Sequence, residues 1–414
     1  MVFSQVIQKE RTMNMNDMVL DSIRYSVPYI FLIGYFILLF ILENVVNKQE
    51  LKKNSNKLII QLAAGTGLLL FFGFRGFVGW DWTIYYPTFQ NVQSLFQLDK
   101  TVFAETRYEP AFVTWISVFK LFSGNYHFFI FINTFIDIII LFAFFRQFSK
   151  ENYALSCLMF IVMGGFYFET DLLRNAKSIM LFLLSLKYLR NRRIITYMVL
   201  NILGCMFHFS SLLYIPLYFV LHKQWSRTLI FFIFLIGIAI YLLQVEYIRP
   251  FIIWVANLMG DKPLEIVNKY LSNELYSSGY GLSIGFIERV FTCLMILIYY
   301  KKLIKISKDN IIFINSFVLF FIFYFYFSEV KIIPVRVAGL FYFSYWILYP
   351  ELLSVIRLRN NRVLFLVFIF VYSFAKIISM TDAILYKYKS VLFRKEIYEE
   401  RLKIFESTKD YFLR

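Results

Sequence analysis

A chain of 414 residues that is 59% hydrophobic, 21% aromatic and only 17% charged, with a mean hydropathy of +0.63, carries more apolar surface than one water-soluble core can bury. Its formal charge of +16 would raise nucleic acid as a partner in a soluble protein. Here the basic residues gather between apolar runs, where they read as membrane anchors, so no nucleic acid is expected.

In hydrocarbon every backbone N–H and C=O must be paired within the protein, which leaves helices or a closed barrel. The runs at 27–42, 229–243 and 311–327 are apolar all round, unlike the alternating strands of a barrel. The expected fold class is all-α: one polytopic helical membrane domain over residues 1–414 with about 11–13 transmembrane or re-entrant helices.

In chain order, residues 1–26 are mixed and polar, and the first apolar run, about 28–46, is long enough to remain as a span, so no cleavable signal is expected. A second run at 58–74 leads into a long loop, 75–109. The run at 110–122 would reach only about 20 Å of a roughly 30 Å core and reads as re-entrant. Further spans are expected at 127–145, 153–168, 171–189, 228–246, 282–300, 311–327, 337–353 and 363–380. Residues 195–221 are too long for one span and are broken by Phe207, His208, Phe209, Ser210 and Ser211, which suggests a hairpin with His208 at its tip. A second long loop covers 247–281, and a charged tail, 381–414, reads as an interfacial amphipathic helix. Cys157, Cys205 and Cys293 stand singly in apolar stretches, as packing residues would.

With 110–122 not crossing and 195–221 a hairpin, the loops after residue 145 carry fifteen Lys and Arg on one side and seven on the other. The richer side is the cytoplasmic one. Loops 75–109 and 247–281, rich in Trp, Tyr, Asp and Glu, then lie outside, as a sugar-handling surface would.

Several outer-side groups are candidates for chemistry. Residues 74–85 bring Arg75, Asp81 and Tyr85 together between glycines; an aromatic interfacial belt with a snorkelling Arg75 is the plainer reading, but an Asp among aromatics needs a partner. Glu109 follows Arg107 and Tyr108 and precedes Pro110, where it either serves the site or complements a helix N-terminus. Arg174 and Lys177, three residues apart, fit one helix face and a diphosphate cradle, or a simple juxtamembrane charge cluster. His208 is either an acid–base group or a core histidine satisfied by Ser210 and Ser211. Arg336 opens a late span, beside Glu329 and Lys331. No Walker loop, His-Glu-x-x-His helix, Gly-x-Ser-x-Gly elbow or Asp-x-Asp pair is present, so a nucleotide donor is not expected.

In order and spacing these residues resemble the EpsG-type, Wzy-like polysaccharide polymerases: Arg75, Gly79, Asp81 and Tyr85 after an early span, Glu109 opening a helix, Leu173-Arg174, Phe207-His208-Phe209-Ser210, and Arg336 before a Gly/Tyr/Phe-rich span. The match covers most of 30–355, with a departure at Asn175-Ala176-Lys177, where Gln or Gly would follow the Arg. The resemblance implies a GT-C-like membrane glycosyltransferase in a bacterial inner (plasma) membrane, its site facing the periplasm or exterior. It implies transfer of a polyprenyl-pyrophosphate-linked glycan to the non-reducing end of a lipid-linked repeat. The partners it implies are that lipid-linked oligosaccharide, membrane lipids, a chain-length regulator and a flippase. Asp81, His208 and Glu109 would be the catalytic groups, and Arg75, Tyr85, Arg174, Lys177 and Arg336 the pyrophosphate-binding ones. No cofactor is implied, though a divalent metal bridging Asp81 and pyrophosphate is compatible with it. A flippase or transporter, an O-antigen ligase and a membrane acyltransferase are the alternatives.

Overall fold

The computed structural model describes residues 20–48, 53–99, 102–103, 108–149, 152–271, 282–393 and 396–412. Arg107, most of the polar segment 1–26 and parts of both long loops lie outside them. Among the described residues the chain is helical, with two isolated bridges, Asp21 to Ala383 and Arg75 to Ser390, and no strand.

The first helices are α1 (Ile23–Lys48) and α2 (Lys53–Leu68), which continues as a π turn over Leu69–Gly73. After the loop come α3 (Trp82–Asn91) and α4 (Pro110–Lys120), then α5 (Tyr126–Phe148). α6 (Tyr153–Phe160) runs through a π segment, Ile161–Gly165, into α7 (Phe166–Thr170) and on to α8 (Leu173–Arg190). The 195–221 region is a broken hairpin, as its composition suggests: α9 (Ile194–Phe207) goes in, and 3₁₀ turns over Phe209–Tyr214 and Pro216–Phe219 come back. The rest are α10 (Arg227–Leu243), α11 (Ile248–Met259), α12 (Asp261–Leu271), α13 (Ile284–Ile306), α14 (Asn310–Phe321, extended by a π turn to Tyr326), α15 (Ile332–Arg336), α16 (Phe343–Val355), α17 (Arg359–Thr381) and α18 (Tyr398–Phe412).

Among the described residues, five segments are long and apolar enough to cross a membrane: Ile23–Val46, Asn56–Gly73, Tyr126–Phe148, Tyr153–Thr170 and Arg359–Thr381. A sixth is counted only if α10 and α11, bent 91° apart, are one span. Other expected spans are short, broken or carry charge: α8 holds Arg174 and Lys177, and α13 holds Glu288 and Arg289.

Tyr153–Thr170 is the central span, 94% of its window buried. Its N-terminus is capped from α1, where Glu43 accepts from the Tyr153 and Ala154 N–H groups at 2.8 and 2.9 Å. Midway it kinks. Gly164 takes φ +96°, a conformation costly for other residues, and the Tyr342 ring fills the space of its missing side chain.

Two sets of contacts fix the ends of the bundle. Arg190 pairs with Asp309 at 3.2 Å, which puts the basic turns after α8 and α13 on one face. On the opposite face α3, α4 and the start of α5 bury Phe89, Phe112, Tyr126 and Phe129 together, and Lys120 Nζ donates to the Gln90 and Val92 carbonyls. α4 therefore packs at the same end of the bundle as α3 and the start of α5.

The long loops depart from a purely aqueous surface. α11 leaves Phe251 and Trp254 each 58% exposed, and its N-terminus is held by Glu329, which accepts from the Tyr247, Ile248 and Arg249 N–H groups. Lying across a span end with an apolar face, it has the design of an interfacial helix. In the tail, α18 docks against the loop and helix that follow α2, stacking Tyr398 on Tyr86 at 4.2 Å and setting Phe405 against Trp80 and Trp82.

Candidate active site

The loop between α2 and α3 is gripped from two directions. From below, Asp171 at the end of α7 accepts from the N–H groups of Trp80 (2.5 Å) and Asp81 (3.2 Å). Gly79, at φ +83°, makes this possible, because a Cβ there would stand 2.2 Å from Asp171 Oδ1. From the tail, Glu396 accepts from Phe77 N at 2.8 Å, and the buried Arg401 donates to the carbonyls of Phe77, Ile384 and Leu385 at 2.8–3.1 Å. Neither Asp171 nor the tail was singled out from sequence. Their function is to hold a backbone, and a sequence shows no pattern for that.

Held there, Asp81 begins α3, but its side chain does not cap it. It stands beside Tyr85, one turn on, which in turn lies next to Arg174. Arg174 Nη1 donates to Glu109 Oε2 at 2.5 Å, and its guanidinium lies over the Tyr108 ring at 4.5 Å. Glu109 therefore does more than complement α4: its other oxygen accepts from Phe209 N at 3.2 Å, tying down the hairpin tip. His208 is at that tip, within electrostatic range of Glu109, Arg174 and Arg336. Arg336, exposed at the end of α15, also acts on Asp81 and makes no ion pair among the described residues. Five separate segments thus meet at one site.

The local chemistry is asymmetric. Burial pushes the Asp81 carboxyl up to about 7, with the Asp171 carboxylate adding in the same sense and Arg336 and Arg174 opposing. His208 Nδ1 accepts from Ser210 N at 3.2 Å and contacts Ser210 Oγ at 2.7 Å, which assigns the ring proton of the neutral tautomer to Nε2. Asn175 Oδ1 lies 3.3 Å from Ser210 Oγ, so the departure after Arg174 packs against the histidine turn. Arg174 keeps a buried Nε with no protein partner.

Two expected members stand apart. Lys177, placed beside Arg174 by spacing, turns toward α5, where it donates to Asp137 at 2.5 Å and to the Asn133 carbonyl at 3.0 Å. Arg75, 4% exposed, donates to the Phe72 carbonyl and reaches Thr134, whose hydroxyl donates to Glu169 at 2.8 Å. Both cations belong to a buried polar knot with Asp137 and Glu169, because a charge this deep needs a nearby counter-charge. They do not share the Arg174 cradle.

No curated protein and no solved structure matches the chain. The family model described as the EpsG family matches residues 58–390, which takes in Asp81, Glu109, Arg174, His208 and Arg336 but stops short of the tail helix, and the chain belongs to that family of polysaccharide-polymerase-type membrane proteins.

Proposed function

We propose that the protein extends a polysaccharide by moving a glycan from a polyprenyl-pyrophosphate carrier onto the non-reducing end of an incoming lipid-linked repeat, on the outer face of a bacterial plasma membrane. The observation that carries this reading is the linked set Asp81, Tyr85, Arg174 and Glu109, with His208 and Arg336 beside it.

Asp81 is the base. A carboxyl poised near neutral pH suits removal of the acceptor hydroxyl's proton, whereas His208, with Nδ1 occupied, presents an N–H donor. As the acceptor oxygen bonds to the sugar's anomeric carbon, the bond from that carbon to the pyrophosphate oxygen breaks, and the pyrophosphate leaves with the electron pair. Arg336, exposed, and Arg174 supply fixed positive charge near Asp81 for the leaving pyrophosphate, where fixed donors are most effective. His208 Nε2 supplies a further hydrogen bond. Glu109 positions both Arg174 and the His208 turn.

The test is incubation of the purified protein with lipid-linked oligosaccharide. Lengthened glycan supports the proposal; glycan carried across a bilayer without lengthening would make the chain a flippase, and transfer to a different acceptor a ligase.

A further inference from the structure

A second set of charged residues lies in the bundle, apart from the site above. Glu288 and Arg289 are on the second turn of α13, and Lys376 is near the end of α17. They line one cavity of about 30 Å³ with Gly164 at the kink and Tyr167, Tyr342 and Tyr372. Each lies within about two turns of the span end on the face that carries loop 75–109.

The charges do not balance. Glu288, 1% exposed, is satisfied by hydroxyls: Thr292 and Tyr349 donate at 2.7 Å, and Tyr345 at 3.4 Å. Arg289, 7% exposed, stacks over Tyr324 with its central carbon 3.7 Å from the ring centroid. It has no carboxylate within 4.0 Å among the described residues, and its Nε has no hydrogen-bond partner. Lys376 faces the same two groups. Two cations against one carboxylate leave one positive charge inside a helical bundle, which is expensive without a counter-ion.

We propose that this pocket binds a single small monovalent anion of halide type, held by Arg289, Lys376 and the tyrosine hydroxyls. The net charge sets the valence. The cavity has room for an ion of that size, and a dianion such as sulfate or a phosphate ester would overbalance the single positive charge. The ion would tie α13 and α17 to the broken central span, and its binding does not depend on what the outer site polymerises.

Purified protein in chloride-free gluconate buffer is titrated with sodium chloride, bromide or sulfate at fixed pH and ionic strength, with thermal unfolding as the readout. Chloride and bromide should raise Tm saturably, by about 2 °C at ten times Kd, and sulfate should not. Lys376→Met, which leaves Arg289 balanced by Glu288, should lose the halide response. Tyr372→Phe, a milder change, should move the midpoint to higher chloride. Crystals soaked in bromide should show its anomalous signal beside Arg289. A wild-type protein indifferent to halide would overturn the proposal; so would a Lys376→Met protein that responds like wild type.

Discussion

Arg174 and Glu109, 65 residues apart in sequence, meet at 2.5 Å between Nη1 and Oε2, and each also contacts another segment of the site. Arg174 reaches Tyr85, and Glu109 accepts from Phe209 N. Because the pair joins groups that act together, removing either partner should cost more than a surface ion pair would. Arg174→Ala is expected to lower the polymerisation rate at least about a hundredfold while the protein inserts at normal levels. Cells should then display single repeats in place of long polymer. A double-mutant cycle with Glu109→Gln should show strong non-additivity; additive losses would mean that the two residues act separately.

Asp81 lies outside the spans, and its carboxyl is raised from 3.8 to about 7, first by burial and then by Asp171. Such a group contributes stability that is fully present below its ordinary value and is lost as pH rises through about 7. Activity should run the other way. As the base, Asp81 works ionised, so the rate should climb with pH to a plateau above about 7. Asp81→Asn should abolish the rate and also flatten that part of the stability curve. Asp171→Asn keeps the Oδ1 acceptor for Trp80 and Asp81 but removes the like charge, so the acid limb should shift to lower pH. An unmoved limb would show that another group titrates.

The tail helix lies beyond the family match, yet its Arg401 satisfies three carbonyls of the loop and its surroundings. Arg401→Ala should leave those carbonyls short of a donor and loosen the Asp81 loop, with polymer lost although every span still inserts. Arg401→Lys should recover part of the activity. A shallower pH dependence in Arg401→Ala would separate mispositioning of Asp81 from a general loss of fold. Full activity after truncation at residue 393 would contradict this role.

Sidedness is checked by impermeant thiol labelling in a background lacking Cys205, the one cysteine that is not fully buried. A cysteine at Gln90 should label from outside, and one at Lys305 should not; the reverse pattern would invert the topology. Both positions are exposed.

Apolar run length and the distribution of Lys and Arg were enough to specify a helical membrane bundle, the break at Phe207–Ser211 and the short helix after Glu109. These are local properties, since the cost of an unpaired backbone group or a buried charge acts residue by residue. Which charges share a site was not local. Arg174 and Lys177 have the same helical spacing as any i, i+3 pair, and only the packed neighbours decide that one faces Glu109 and the other Asp137. In the same way, Arg75 looked like a loop cation until Glu169 and Thr134 were brought beside it. Asp171, Glu396 and Arg401 act on backbone groups distant in sequence, and Glu288, Arg289 and Lys376 meet only where three helices close on a kink. Low dielectric makes each buried charge depend on its nearest counter-charge, and tertiary structure alone determines which group that is.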